Sequence, residues 1–182
     1  MTTIVGYQGA DFAILGADSQ ITDGDKRIIS PSTPKIVKVG RYLLAVSGDC
    51  RPGDLLMYNW KPPAYDGTDP VKFMGRKIIP NIITTFKAYG YDHTKEGVSY
   101  SYLLAFAGNL FEIGDELSIS QSIDGIYGVG SGSPYALGFL AGTIGNLAKV
   151  EWAQDQILCS LEVSAKYDIN TCQPFQIEVQ KA

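Results

Sequence analysis

The sequence predicts an α+β protein in which strands and helices form separate layers. Its apolar positions fall into the order strands, helix, strands, two helices and a last strand, and single strands do not alternate with single helices. The length of 182 residues suits one domain that buries about 70% of its unfolded surface. Residues 1–182 are therefore expected to fold as a single unit.

The chain opens with predicted strands. Residues 3–18 alternate or run apolar around a polar break at Gln8 to Asp11, a pattern typical of a hairpin. A loop rich in Gly, Asp and Pro is predicted over 22–34, and "KIVKV" and "YLLAV" then form two strands that meet at Gly40. Four strands are therefore expected before the first helix.

The first helix is predicted from its start signal and its apolar stripe. Asp69 as N-cap and Pro70 in the first turn begin it, Gly90 stops it, and Pro80 should kink it. One face carries apolar residues at steps of three and four: Val71, Met74, Ile78, Ile82 and Phe86.

The second half adds strands and two more helices. Strands are predicted in "VSYSYLLAFAG", "NLFEIG", "GIYGVG" and the final "PFQIEVQ". Ser133-Pro134 is a second helix start, and a third helix is expected from about Ala148 to Tyr167. Their stripes are Ala136, Phe139, Leu140, Thr143, Ile144 and Leu147, then Val150, Ala153, Ile157, Leu161 and Ser164.

Composition narrows the function classes. No apolar run approaches the ~20 residues of a membrane span and no secretory signal is visible, so a cytoplasmic protein without a membrane role is expected. The net charge is −4 and the basic residues are spread thinly, which disfavours nucleic acid as a partner. The three cysteines lack CxxC spacing, so neither a disulfide framework nor a zinc site is predicted, and no cofactor is expected.

The single histidine restricts catalysis. Ser-His-Asp or Cys-His chemistry would have to use His93, which lies in the polar stretch "GYDHTKEG" and is expected to be a surface residue. A hydrolase built from this chain must therefore use another base.

Thr2 offers such a base if Met1 is removed. An N-terminal α-amine has a pKa of about 7.7–8.0 and can take the proton of the hydroxyl on the same residue. Asp18 ends the second predicted strand and Lys35 opens the third, so both charges can lie beside Thr2. Two alternatives to a catalytic role stay open. Thr2 and Thr3 can be a β-favouring pair that opens an edge strand, and Asp18 and Lys35 can each belong to a surface ion pair.

The stretch "GVGSGSPYALG" has two interpretations. A dinucleotide loop would need glycine where Ser133 stands, and the phosphate-loop motif GxxxxGK[ST] is absent. A tight glycine turn that orients Ser131 and begins a helix explains the same residues.

Six fragments, taken in order, resemble the proteasome β-subunit and HslV peptidase family of N-terminal nucleophile hydrolases over essentially the whole chain. They are "TTIV", "GADSQIT", "PKIVKV", "AVSGD", "GVGSGSPYALG" and "AKYDINT". The resemblance implies a four-layer αββα sandwich and a bacterial or viral homologue intermediate between the two groups.

The resemblance also implies roles for individual residues. Thr2 would be the nucleophile after loss of Met1, Asp18 and Lys35 the charged pair beside it, and the Gly48 N–H the oxyanion hole. The remaining implied residues are Ser131, near the Thr2 amine and the water, with Asp168 and Thr171 in support; Thr22, pairing with the substrate backbone; and Ile21, Val46 and Cys50, bordering the side-chain pocket. Apolar Ile21 and Val46 favour a hydrophobic preference.

The sequence departs from the family at two places. Asp49 stands where a small residue usually follows the oxyanion glycine, and Cys172-Gln173 replaces a glycine pair. These changes bear on the shape of the pocket and of the turn near Ser131.

The resemblance implies a self-compartmentalising threonine peptidase that acts on peptides or unfolded proteins in homo-oligomeric stacked rings, with an unfolding ATPase as a possible partner. Two alternatives stay open: a catalytically inactive ring or scaffold protein with the same fold, and an N-terminal nucleophile amidase that acts on small molecules.

Overall fold

The computed structural model describes residues 2–23, 26–29, 33–95, 97–145 and 149–182. Met1, part of the predicted 22–34 loop, Leu147 and Ala148 lie outside the described residues. The strands are β1 (Ile4–Gln8), β2 (Phe12–Ala17), β3 (Gln20–Asp23), β4 (Lys26–Ile29), β5 (Ile36–Val39), β6 (Tyr42–Gly48), β7 (Tyr100–Phe106), β8 (Asn109–Ile113), β9 (Ile119–Ser120), β10 (Ile126–Val129) and β11 (Gln176–Lys181). The helices are α1 (Cys50–Asn59), α2 (Pro70–Phe73), a π-helical turn (Met74–Ile78), α3 (Ile79–Ala88), α4 (Ser133–Thr143) and α5 (Val150–Tyr167).

Two antiparallel sheets face each other between two layers of helices. One sheet has the order β10-β1-β2-β11 and is covered by α4 and α5; the other has the order β5-β6-β7-β8-β9 and is covered by α1, α2 and α3. A separate ribbon pairs β3 with β4. The predicted four-layer αββα sandwich is therefore confirmed.

The period-two alternation of the strands builds three apolar layers. In β1, Ile4 points into the core between the two sheets, whereas Val5 packs under α4 and α5. In β6, Leu43 faces the other sheet and Leu44 faces α1 to α3. Both faces of each central strand are buried, which explains why these segments run apolar as well as alternate.

The predicted helix at Asp69 is confirmed, with a π-helical turn where a kink was expected. An Asp69 side-chain oxygen accepts from the Lys72 N–H at 2.9 Å, the hydrogen bond expected of an N-cap. The turn Met74–Ile78 precedes Pro80 in α3. Proline has no N–H to donate and its ring crowds the carbonyl four residues earlier, so the hydrogen-bond ladder shifts there.

Four elements were not predicted. The predicted loop over 22–34 contains part of the β3–β4 ribbon, and both α1 and β9 were missed. Asp49, the N-cap residue of α1, makes no side-chain capping hydrogen bond, and its carboxylate instead accepts from the Ser99 N–H at 2.9 Å.

The predicted start of α4 at Ser133-Pro134 is confirmed, and one position of its predicted buried face needs correction. Gly132 is the N-cap residue, and the Ser133 hydroxyl donates back to the Gly130 carbonyl at 2.8 Å. Ala136 and Leu140 are buried as expected, but Thr143 is exposed at the last turn.

Among the residues that the structure describes, no helix combines the length and the apolar content needed to cross a bilayer.

Candidate active site

The strand register brings the predicted charged residues to one edge of the sandwich. Ile4 pairs with Ala17 in the β1–β2 hairpin, and the Asp18 N–H donates to the Thr3 carbonyl at 3.1 Å. Lys35 precedes β5 at the same edge, where its carbonyl accepts from the Val46 N–H at 3.3 Å. Residues that are 16 and 33 positions apart along the chain are thus neighbours.

Thr2, Asp18 and Lys35 form a hydrogen-bonded triad. The Thr2 hydroxyl donates to Asp18 Oδ1 at 2.6 Å, and Lys35 Nζ donates to the same oxygen at 2.5 Å and to Thr2 Oγ1. The side chain of Asp18 is fully buried and that of Lys35 is 11% exposed. The hydroxyl therefore lies between a buried carboxylate and a buried ammonium.

The surrounding backbone fixes the Asp18 carboxylate. Its Oδ1 accepts from the Thr3 N–H at 2.9 Å, and its Oδ2 accepts from the N–H groups of Gln20 at 2.8 Å and Cys172 at 3.3 Å. Thus the residue before β1, the first residue of β3 and the segment before β11 all hold the same anion in place.

Lys35 has a lowered pKa. Burial disfavours its charged form, and the neighbouring Asp18 carboxylate offsets only part of this effect. Its third N–H donates to the Gln20 carbonyl at 2.6 Å. All three N–H donors of the ammonium group are therefore used within the protein.

A second network lies on the other side of Thr2. Asp168 Oδ2 accepts from Thr171 Oγ1 at 2.6 Å and from Ser131 Oγ at 3.0 Å. Burial raises the Asp168 pKa, but these hydrogen bonds outweigh that effect and lower it overall. Because an ionised carboxylate only accepts, the Thr171 hydroxyl must in turn accept from Thr3 Oγ1, 2.5 Å away.

Ser131 lies against the backbone of Thr2. Its Oγ lies 3.5 Å from the Thr2 carbonyl oxygen, and its hydroxyl proton is directed to Asp168, the closer and charged acceptor. Gly130, with a φ of +94°, allows this approach, since a Cβ there would lie 2.9 Å from Thr2 Cγ2. The glycine turn thus orients Ser131 toward Thr2.

The Gly48 amide points toward the same space. The Asp49 N–H donates to the carbonyl of Ser99, just before β7, whereas the Val46 N–H donates to the carbonyl of Lys35, just before β5. Amides two residues apart on a strand point the same way, so the Gly48 N–H projects past the start of β5. Its φ of +99° requires glycine, because a Cβ would lie 2.7 Å from the Tyr100 Cα.

The predicted substrate-contacting residues line one pocket beside the triad. It is bordered by Thr2, Gln20, Ile21, Thr22, Thr33, Pro34, Lys35, Val46, Ser47, Gly48, Asp49, Cys50, Gly53, Asp54 and Met57. A second cleft shares Ile21, Thr22 and Gly48 with it and continues to Ser131. The two clefts together form a groove between Met57 and Ser131, and Thr2 lies on the wall of the first.

Sequence reasoning missed three residues of this site. Thr3 bonds Thr171, the Gln20 side-chain amide donates to Thr22 Oγ1 at 3.1 Å, and Thr22 donates to Asn170 at 3.2 Å. Two of the three could have been found from their neighbours. Gln20 lies in "SQIT" and Asn170 in "DINT", next to residues that were predicted. Within the described ranges, no cluster of three or more His, Cys, Asp or Glu side chains could hold a metal ion.

Comparison with known proteins gives matches in sequence and in fold. A family model described as "Proteasome subunit" matches residues 1–51. No curated protein matches the sequence. Among solved structures, BPH of Thiobacillus denitrificans in complex with epoxomicin superposes with a TM-score of 0.76 at 20% identity, covering 99% of this chain and 98% of that one.

Two further structures have the same fold. Eukaryotic HslV of Trypanosoma brucei gives a TM-score of 0.71 at 18% identity and covers 100% of both chains. The Anbu complex of Pseudomonas aeruginosa, solved as a helical assembly, gives 0.71 at 16% identity, covering 99% of this chain and 81% of that one. The resemblance to the proteasome β-subunit and HslV family is therefore confirmed, in sequence over residues 1–51 and in fold over essentially the whole chain.

Proposed function

We propose that the protein is a threonine peptidase whose nucleophile is Thr2 with a free α-amine. The observation that carries the proposal is the placement of the Thr2 hydroxyl between the buried Asp18 carboxylate and the Lys35 ammonium, at the wall of an open groove. A nearby cation stabilises the alkoxide and favours the neutral form of the amine.

The proposed reaction has two halves. Thr2 Oγ1 bonds to a peptide carbonyl carbon while its amine takes the hydroxyl proton, and the Gly48 N–H donates to the developing oxyanion. The amine then passes this proton to the departing nitrogen as the C–N bond breaks. In the second half, a water molecule attacks the Thr2 ester, releases the carboxylic acid and restores the hydroxyl.

Ser131 and Asp168 orient the amine in this scheme. The Ser131 proton is directed to Asp168, so the lone pairs of the Ser131 oxygen are available to a free Thr2 amine. A retained Met1 would convert this amine to an amide without basicity. Activity is therefore expected only from chains that begin at Thr2.

A peptide substrate fits better than a small amide. The groove runs from Met57 past Thr2 to Ser131, so extended chain can lie on both sides of the nucleophile. Thr22 lies in β3, on the groove wall, where it can pair with the substrate backbone.

Homo-oligomeric rings in a cytoplasmic setting are part of the proposal. Tyr135 and Tyr167 stack on the surface near Asp168, and Ile169 beside them is 86% exposed. Exposed apolar groups of this kind are often covered by a neighbouring subunit. An unfolding ATPase would supply extended chains to such a ring.

The test compares wild type with three variants, all prepared with Thr2 or its replacement as the first residue, for example by cleaving a fusion immediately before it. Thr2→Ala should abolish cleavage of fluorogenic peptides and labelling by a peptide aldehyde, and Thr2→Ser should retain both. Thr84→Ala, the same loss of a threonine hydroxyl at an exposed position of α3, is the matched control and should leave both unchanged.

Intact mass reports in the same samples whether Met1 is absent. Equal cleavage by wild type and Thr2→Ala, or activity in chains that keep Met1, would refute the mechanism.

A further inference from the structure

The groove beside Thr2 carries an excess of hydrogen-bond acceptors and negative charge. Its charged residues are Lys35, Asp49 and Asp54. The Lys35 ammonium is committed to Asp18, Thr2 and the Gln20 carbonyl, so it presents no free donor to a substrate. Two carboxylates therefore set the charge of the pocket.

Asp54 reaches the pocket because of its position on α1. Cys50, Gly53, Asp54 and Met57 follow the spacing i, i+3, i+4 and i+7, and all four line the pocket. The helix lies close to β6 at Gly53, where a Cβ would come 2.8 Å from Val46 Cγ1. This contact places the Asp54 turn over the pocket wall.

Among the residues that the structure describes, neither carboxylate has a protein cation at ion-pair distance. Asp18–Lys35 is the ion pair found among the described residues, and it leaves Asp49 and Asp54 without a cation within 4.0 Å there. One oxygen of Asp49 accepts from the Ser99 N–H, and no hydrogen bond to the Asp54 carboxylate is present in the same part of the chain.

Gln20 adds a buried acceptor at the same wall. Its Nε2 donates to the Ile169 carbonyl at 3.0 Å, and because a backbone carbonyl only accepts, the amide orientation is fixed. Its Oε1 is then left buried without a partner among the described residues. An unpaired carbonyl dipole adds to the negative potential of the pocket.

The remaining walls are apolar. Ile21, Val46 and Met57 surround the space between Thr2 and the two carboxylates. A side chain that suits such a pocket has a long apolar stem and a positively charged end that donates hydrogen bonds, as in lysine and arginine.

We propose that the pocket selects a lysine or arginine side chain on the residue whose carbonyl Thr2 attacks, with Asp54 as the specificity-determining residue. This inference rests on the proposed peptidase function. It replaces the simple hydrophobic preference expected from Ile21 and Val46 with a preference for an apolar stem that ends in a cation.

The test uses fluorogenic peptides that differ only in the residue before the cleaved bond: lysine, norleucine, leucine or glutamate. Norleucine keeps the linear stem of lysine without the ammonium group. We expect kcat/KM for lysine to exceed that for norleucine about tenfold, with glutamate the slowest, and this ratio to fall as salt is raised. Equal or faster cleavage after norleucine or leucine would overturn the proposal.

Substitutions assign the preference to Asp54. Asp54→Asn should lower the lysine-to-norleucine ratio about fivefold, and Asp54→Lys should make glutamate preferred over lysine. Asp155→Asn, the same change in charge at an exposed position of α5, should leave the ratio unchanged. An unchanged ratio in Asp54→Asn would also overturn the assignment.

Binding separates this inference from the peptidase proposal. In Thr2→Ala, fluorescence anisotropy should show tighter binding of the lysine peptide than of the norleucine peptide. Tighter binding of the lysine peptide without any cleavage by wild type would support the proposed preference of the pocket and refute the peptidase function. Cleavage without any preference for lysine would support the peptidase function and refute the proposed preference.

Discussion

Replacing Lys35 by methionine tests how much the buried Asp18–Lys35 ion pair contributes to the free energy of unfolding. Methionine keeps an unbranched apolar stem and removes the charge. The Nζ–Oδ1 distance of 2.5 Å corresponds to a gross attraction of about 7 kcal/mol at an effective dielectric constant of about 20. Desolvation costs several kcal/mol per ion, so the intact pair contributes little net stability.

Removing only the cation has a larger effect, because the Asp18 carboxylate stays buried. Breaking a buried pair in this way typically costs about 3–5 kcal/mol. Backbone N–H groups of Thr3, Gln20 and Cys172 still donate to the carboxylate, which places the cost near the lower end. We expect Lys35→Met to reduce the free energy of unfolding by about 3 kcal/mol.

The assay is urea unfolding at pH 7 and one fixed protein concentration, since any oligomer makes stability concentration-dependent. Asp18→Asn should cost about 4 kcal/mol, because its amide NH2 must face backbone N–H donors at either oxygen position. The double variant should be more stable than the sum of the single effects by more than about 1 kcal/mol. Additive effects, or a Lys35→Met protein within about 0.5 kcal/mol of wild type, would refute this account.

Three further predictions concern pH, the second network and the core. The kcat/KM should rise as the Thr2 amine loses its proton and fall on the alkaline side below the ordinary lysine value of 10.5, because burial lowers the Lys35 pKa; a plateau up to that value would contradict this. Thr171→Val should cost about 1–2 kcal/mol at pH 7, measured by urea unfolding. The difference in unfolding free energy between wild type and Thr171→Val should shrink at pH 3. The lowered Asp168 pKa stabilises the fold at pH values above the pKa of the unfolded state, and this stabilisation is lost as the pH falls through the pKa of the folded state. A difference that stays constant with pH would argue against this account. Ile157 is fully buried on the inner face of α5, so Ile157→Ala should cost about 2–4 kcal/mol, whereas Leu158→Ala, at a position 37% exposed on the same helix, should cost much less; similar urea midpoints for both would contradict the burial argument.

Periodic segments were predictable from the sequence. The stripe of α5 at Ala153, Ile157 and Leu161 is buried as expected, and the paired strands of the first hairpin are confirmed. Long amphipathic patterns are reliable because many residues repeat the same requirement for burial. The helix start at Asp69 was equally local, since an N-cap and its partner are three residues apart.

Short elements were not predictable in this way. The strands of the β3–β4 ribbon have only four residues each, and the residues that begin β3 and α1 bond to partners far away in the sequence. Asp49 accepts from Ser99, 50 residues later, and Gln20 bonds Ile169, 149 residues later. No local pattern encodes such partners.

The sequence by itself determined the α+β class with separate layers and the chemical candidates at the start of the chain, because periodicity and residue type are local properties, whereas the four-layer arrangement was implied by the family resemblance. Only the tertiary structure decided that Thr2, Asp18 and Lys35 meet, since that depends on the register of β1 with β2 and on where β5 begins. It also decided the charge of the pocket, because Asp54 becomes a pocket residue only when Gly53 lets α1 lie against β6.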